Sequence, residues 1–148
     1  MKRKIKNQLQ VSFNDEQKIT NNFLQFHHII SDRGSKYSVS GGKVNSRAEI
    51  KKFLLKLKNN KKYAQASHNS WAARLSTKNT IWETKSDDKE TGAGQVILRI
   101  LQKENYSNLV VVVTRWFGGV KLYSDRFKHL QDSTKYFLKK TKKISENK

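Results

Sequence analysis

Five consecutive apolar residues, Leu109-Val110-Val111-Val112-Val113, constrain this chain more than any other feature. An apolar run with no polar alternation reads as a strand buried on both faces, and so as the central strand of a sheet. It ends abruptly in Thr114-Arg115-Trp116-Phe117-Gly118-Gly119, and a basic, partly helical segment follows. Two readings stay open for that junction. Loops carried by a rigid strand are where function concentrates. A tightly packed structural turn uses the same residue types.

The flanking segments supply the rest of a sheet and its helices. Asn14-Asp15-Glu16 is placed to cap a short helix carrying Ile19, Phe23 and Leu24, and His27 to Ile30 reads as a strand. Asp32-Arg33-Gly34-Ser35 is a turn signal joining it to a second strand, Lys36 to Val44. Gly41 and Gly42 within that strand predict a bulge or an early end. Ser46-Arg47-Ala48-Glu49 fits a capping box, and Ile50, Phe53, Leu54 and Leu57 follow at helical spacing. Ala64 to Leu75 and Thr80 to Thr84 read as neighbouring strands. Gly92-Ala93-Gly94 opens a helix with Val96, Ile97, Ile100 and Leu101 on its apolar side. Ser124 or Asp125 starts a last helix with Phe127, Leu130, Phe137 and Leu138 as its buried stripe. Strand pairs mixed with helices on one face predict an α+β two-layer sandwich.

The chain has 148 residues, the size of one domain. Met1 to Gln10 and Lys139 to Lys148 read as basic tails. No cysteine is present, which excludes disulfides and thiolate metal sites. No apolar run approaches the roughly 20 residues that span a bilayer, and no apolar stretch follows the charged N-terminus. A cytoplasmic protein is the expectation, with no membrane partner.

Net charge is +19, from 31 basic and 12 acidic residues. Such a field attracts polyanions, although an AT-rich genome would push composition the same way. Lys51, Lys52, Lys56 and Lys58 line the polar face of the capped helix, and Lys61 and Lys62 follow. With little acid to pair them, they are candidates for polyanion contact; a merely solvated face is the alternative.

Chemistry is sparse. Asp87, Asp88 and Glu90 form the only dense acidic cluster. Such carboxylates bind hard cations, or simply favour the start of a following helix. Metal-ligand spacing is missing, so neither a metal nor a cofactor is expected. Gly92 and Gly94 at a helix start could hold a phosphate on backbone N–H groups, with Arg115 and Lys121 nearby; close packing is the alternative. His68 reads as a sheet-edge residue. Trp71, Trp82 and Trp116 either anchor the core or offer stacking surfaces for bases. No nucleophile elbow or other hydrolytic signature is visible.

In combination, His68-Asn69-Ser70-Trp71-Ala72, Asp87-Asp88-Lys89-Glu90 leading to Gly92-Ala93-Gly94, and Val111 to Gly119 resemble the IMPACT/YigZ family. Asp125-Arg126-Phe127-Lys128-His129 resembles its eukaryotic IMPACT branch. The likeness runs from Lys36 to Leu138. It implies the α+β fold of the second domain of a small-subunit ribosomal protein and of domain IV of elongation factor G. It also implies a role: restraint of the amino-acid-starvation kinase by competition for its ribosome-bound activator, with actin and ribosomes as further partners. Eukaryotic members carry an extra N-terminal RWD domain that helps bind the activator. The roughly 35 residues ahead of the resemblance are too few for one. Lys89 stands where the family has glycine, and Tyr123-Ser124 replaces Gly-Pro or Gly-Thr.

The expected organisation is therefore a basic extension and first strand over 1–34, an IMPACT-like domain over 35–140, and a basic tail over 141–148. The expected function is non-enzymatic binding within translation or its regulation, through ribosome or RNA contact. Its binding residues would be His68, Asp87, Asp88, Gly92, Gly94, Arg115, Trp116, Phe117, Gly118, Gly119, Lys121, Arg126 and Lys128. A small phospholigand- or metal-binding protein or enzyme using the same edge is the alternative.

Overall fold

The structure, a computed structural model, describes residues 19–146. The basic N-terminal segment and the Asn14-Asp15-Glu16 helix start lie outside the described residues. Five strands form one antiparallel sheet: β1 (Leu24–Asp32), β2 (Ser35–Lys43), β3 (His68–Thr77), β4 (Thr80–Ser86) and β5 (Leu109–Trp116), in the order β1-β2-β5-β3-β4. The valine run thus lies in the central strand, buried from Leu109 to Arg115. The α+β class read from the sequence is the class observed.

Four helical segments complete the fold: α1 (Arg47–Asn59), α2 (Lys61–Ala64), α3 (Ala93–Lys103) and α4 (Asp125–Glu146). Alternation along β5 divides the core between the two faces of the sheet. Leu109, Val111 and Val113 pack with Ile97, Leu101, Leu130 and Phe137 of α3 and α4. Val110 and Val112 pack with Ile50, Phe53 and Leu57 of α1, and with Tyr63 of α2. One-sided helix placement therefore holds for α3 and α4, whereas α1 and α2 cover the other face. A central strand without polar positions leaves apolar surface on both sides, and each side needs a cover. Burying Ile50, Phe53 and Leu57 stabilises the fold by roughly 1.5–3 kcal/mol per side chain.

Local signals account for most element starts. Ser46 Oγ accepts the Glu49 N–H at 3.1 Å, while the Glu49 carboxylate reaches back to the Asn45 N–H at 2.7 Å. The box closes one residue further back than its usual form. Asn60 Oδ1 accepts the Lys62 N–H at 2.9 Å and starts α2, so β3 begins at His68 and not at Ala64. Arg33 (φ 47°) and Gly34 (φ 86°) form a two-residue hairpin turn between β1 and β2.

Three sequence expectations are corrected. Ile19 to Phe23 is irregular and Leu24 begins β1, so no helix covers these residues. The bulge falls in β1 and not at Gly41-Gly42, which pair in regular register with Val111 and Val110. Gly42 is there for space: a Cβ on it would lie 1.9 Å from the Asn22 carbonyl oxygen. Finally, α4 continues to Glu146, with Thr141 fully buried, through residues read as a basic tail. No helix among the described residues is long and apolar enough to cross a membrane.

Candidate functional site

Arg115 lies on the same side of β5 as Val111 and Val113, so its side chain enters the layer beneath α3 and α4. Its Nη1 donates to the Glu90 carboxylate at 2.7 Å, and the two side chains are only 6% and 3% exposed. Nη2 donates to Ser35 Oγ at 3.4 Å, and Ser35 Oγ also accepts the Gly118 N–H at 3.1 Å. Arg126 at the start of α4 donates to the Thr91 carbonyl at 3.0 Å and stands 3.9 Å from the same Glu90 oxygen. Arg115 is thus an internal strut joining β5, the acidic loop and α4, and is not presented to a ligand. A buried charge persists only where it is paired.

The acidic loop is turned on the chain itself. Asp87 accepts the Gly92 N–H at 3.0 Å and the Gly94 N–H at 2.8 Å, one on each carboxylate oxygen. Asp88 accepts the Asn69 N–H at 2.6 Å, and its carbonyl bonds His68 Nδ1 at 2.9 Å. Ser70 Oγ donates to the Asp87 carbonyl at 2.8 Å. The two amides that would have cradled a phosphate at the start of α3 therefore already hold a carboxylate. The structure brings His68, Asp87, Asp88, Gly92, Gly94, Arg115 and Arg126 to one end of the sheet, but as a splice between β3, α3 and α4. This geometry argues against the phospholigand alternative there. No trio of His, Asp and Glu side chains among the described residues is arranged to hold a metal ion.

Lys89 (φ 71°) and Tyr123 (φ 52°) both occupy the left-handed region that glycine tolerates best. The loop after β5 packs against the β1–β2 turn. A Cβ on Gly118 would lie 2.0 Å from the Gly34 carbonyl carbon, so that approach needs glycine. Beyond it the loop is open: Phe117, Val120 and Tyr123 are 50%, 48% and 73% exposed, and Gly119, Lys121 and Lys128 are exposed as well. A second ionic set ties the turn to α4. Asp32 accepts from Arg33 at 3.0 Å and from His129 at 2.7 Å, and Arg33 also bonds Asp125. Hydrogen bonds from Arg33 and then His129 hold the Asp32 carboxyl well below the usual carboxylate range.

A second aromatic cluster joins Trp116 to two histidines that the sequence placed only in a strand. Between the pairs Phe26–Val39 and Ile30–Tyr37, three β1 residues face the single β2 residue Ser38. This bulge puts His28 at φ 48°, with its N–H on Ser38 Oγ at 2.8 Å. The His27 and His28 rings stack with centroids 3.6 Å apart, and both residues are exposed. Trp116 stands edge-on at 5.8 Å and 5.2 Å from them, and Tyr63 lies 5.0 Å from Trp116. Lys62 Nζ meets His27 Nε2 at 2.9 Å, and His27 Nδ1 meets Tyr63 Oη at 2.8 Å. With Lys62 donating, the imidazole proton sits on Nδ1 and is donated to the phenol oxygen. Burial, then the Lys62 charge, lowers the His27 pKa; His28 shifts the same way through burial, then His27, Lys62 and Lys36. The adjacent histidines were the available signal, but only the bulge turns both onto one surface.

That surface continues along α1. Lys51, Lys52, Lys56, Lys58, Lys61 and Lys62 are all exposed, and the helix's one carboxylate, Glu49, serves its own N-terminus. An open groove beside α1 is lined by Asn22, Lys43, Asn45, Glu49, Lys52 and Lys56. Trp82 is half-buried under the Arg47 guanidinium, 4.1 Å from the ring centroid, and Trp71 is half-buried against the same core.

Known proteins place this architecture. The model of the Impact N-terminal domain matches residues 33–138. Over 111 residues the chain is 40% identical to Protein IMPACT of Rattus norvegicus and 39% identical to that of Homo sapiens. The aligned region is 74% of this chain and 35% of each relative, so the chain spans about a third of their length. A crystal structure of a hypothetical protein superposes with a TM-score of 0.72 at 18% identity, over 82% of this chain and 59% of the other, and shows the fold. The two-domain translational regulator Yih1 superposes with a TM-score of 0.52 at 33% identity, over 72% of this chain and 42% of its own. The chain therefore belongs to the Impact N-terminal domain family.

Proposed function

We propose that this domain is a non-enzymatic, cytoplasmic binding module of translational control that contacts ribosomal or other RNA through the basic face of α1 and α2. One observation carries the reading. Six exposed lysines lie on α1 and α2, where the one carboxylate of α1 serves its cap. Lysine faces of this kind bind phosphates by releasing condensed counterions. The internal use of Arg115, Asp87 and Glu90 supports a binding role over a catalytic one.

Co-sedimentation with ribosomes across a salt series tests it. Four phosphate contacts to single strands give a log–log slope of about −3, so affinity falls roughly 50-fold between 50 and 200 mM salt. No association at low salt would refute the reading. The exposed apolar loop at Phe117, Val120 and Tyr123 favours a second contact, with a protein. Restraint of the starvation kinase would work through this loop. Pull-down of the kinase's activator tests that contact, which should be lost on Phe117→Ser with Tyr123→Ser.

A further inference from the structure

We propose that the His27–His28 stack is a nucleobase platform: it takes an unpaired base of single-stranded RNA whose phosphates lie along the lysines of α1 and α2. The inference rests on the RNA reading above and adds the site at which a base is held.

Three observations point to it. The nearly equal distances from Trp116 to the two imidazoles put the indole beside the stack and not on top of it. An outer face of the exposed histidine pair is thereby left to solvent. Trp116 is fixed by its Nε1–H on the Lys62 carbonyl at 3.0 Å, and His27 by Tyr63 and Lys62, so the stack is held in place before any ligand arrives. Preorganisation of this kind lowers the entropy lost on binding.

The surroundings are cationic. Lys62 Nζ stands 2.9 Å from His27 Nε2, and the charges of Lys62 and Lys36 both act on His28. Lys36 is the β2 partner of Trp116, on the same face of the sheet, and Lys61 opens α2 directly after α1. An aromatic face rimmed by cations suits a base joined to phosphates. A duplex cannot use it, because its base faces are already stacked.

The backbone carries the third sign. A non-glycine residue with positive φ is strained, and such strain persists where the surroundings impose it, often at functional positions. His28 at φ 48° is what brings the second ring onto the first.

The test is fluorescence anisotropy of the whole chain with labelled oligoadenylate of about ten nucleotides, within the range one small domain covers. An RNA duplex of equal length is the control. Stacking on one side chain contributes about 1–3 kcal/mol. His28→Ala should therefore weaken single-strand binding about tenfold, leave the duplex unchanged and keep the salt slope. His28→Phe should retain single-strand affinity, which separates loss of the ring from a disturbed bulge. Lys51→Gln with Lys52→Gln and Lys58→Gln should weaken both RNAs alike and flatten the slope. If His28→Ala leaves single-strand binding intact, or weakens both RNAs equally, the platform is refuted while the lysine face stands. If neither RNA binds at low salt, the RNA reading itself fails.

Discussion

Removing one partner of the Arg115–Glu90 pair should damage the fold more than removing both. The pair is 2.7 Å long with 6% and 3% of the side chains exposed. Arg115→Met leaves a carboxylate with almost no water around it. Breaking a buried pair from one side costs about 3–5 kcal/mol. The expected cost here is about 3 kcal/mol, the low end, because Arg126 stands 3.9 Å from the same oxygen and can partly replace the lost cation. Glu90→Met should cost a similar amount by stranding the guanidinium. The double variant has no buried charge to strand and fills similar volume. It should be less destabilised than either single by about 2 kcal/mol, since apolar replacement of a whole buried pair is often neutral. Urea unfolding with unchanged m-values measures the three differences. In a domain of this size, 3 kcal/mol corresponds to a fall in Tm of about 6–12 °C. Single variants costing less than about 1 kcal/mol, or a double variant as damaged as both singles together, would refute the strut. RNA binding by the folded Arg115→Met protein should be retained, which a direct ligand contact at Arg115 would forbid.

Three further outcomes follow from backbone and charge. Lys89→Gly and Tyr123→Gly relieve positive φ at exposed positions, and each should raise stability by about 0.5 kcal/mol after the entropy cost of glycine; a loss of Tm would contradict the reading. Gly42→Ala puts a Cβ 1.9 Å from the Asn22 carbonyl and should cost about 1–3 kcal/mol, with increased hydrogen exchange at the Lys43 amide, which donates to Asn21. His27 and His28 have lowered pKa values, so the native state binds fewer protons than the unfolded chain just below the ordinary histidine value. Their contribution is complete above about pH 6.5 and is lost as pH falls below it. Tm should therefore drop between pH 7 and pH 5.5, and the drop should shrink in the His27→Phe/His28→Phe protein.

What the sequence determined by itself is what short-range physics decides. The valine run is a central strand because no polar residue interrupts it. Ser46 and Glu49 cap α1, and Ile50, Phe53 and Leu57 form its buried stripe, because partners one turn apart must meet on a helix. Family membership was also legible, since its motifs are strings of neighbours. Tertiary structure decided the fate of each polar group. Arg115 is internal because strand alternation points it under α3, where it meets a carboxylate 25 positions away. Asp87 is a cap and not a ligand because the β4–α3 turn folds it back onto Gly92 and Gly94. His27 and His28 stack because a bulge, set by pairing with β2, places two successive residues on one face. In a regular strand they would point to opposite sides. Spacing along the chain encodes which element forms; which face a side chain occupies, and which distant group neutralises it, depends on register and packing.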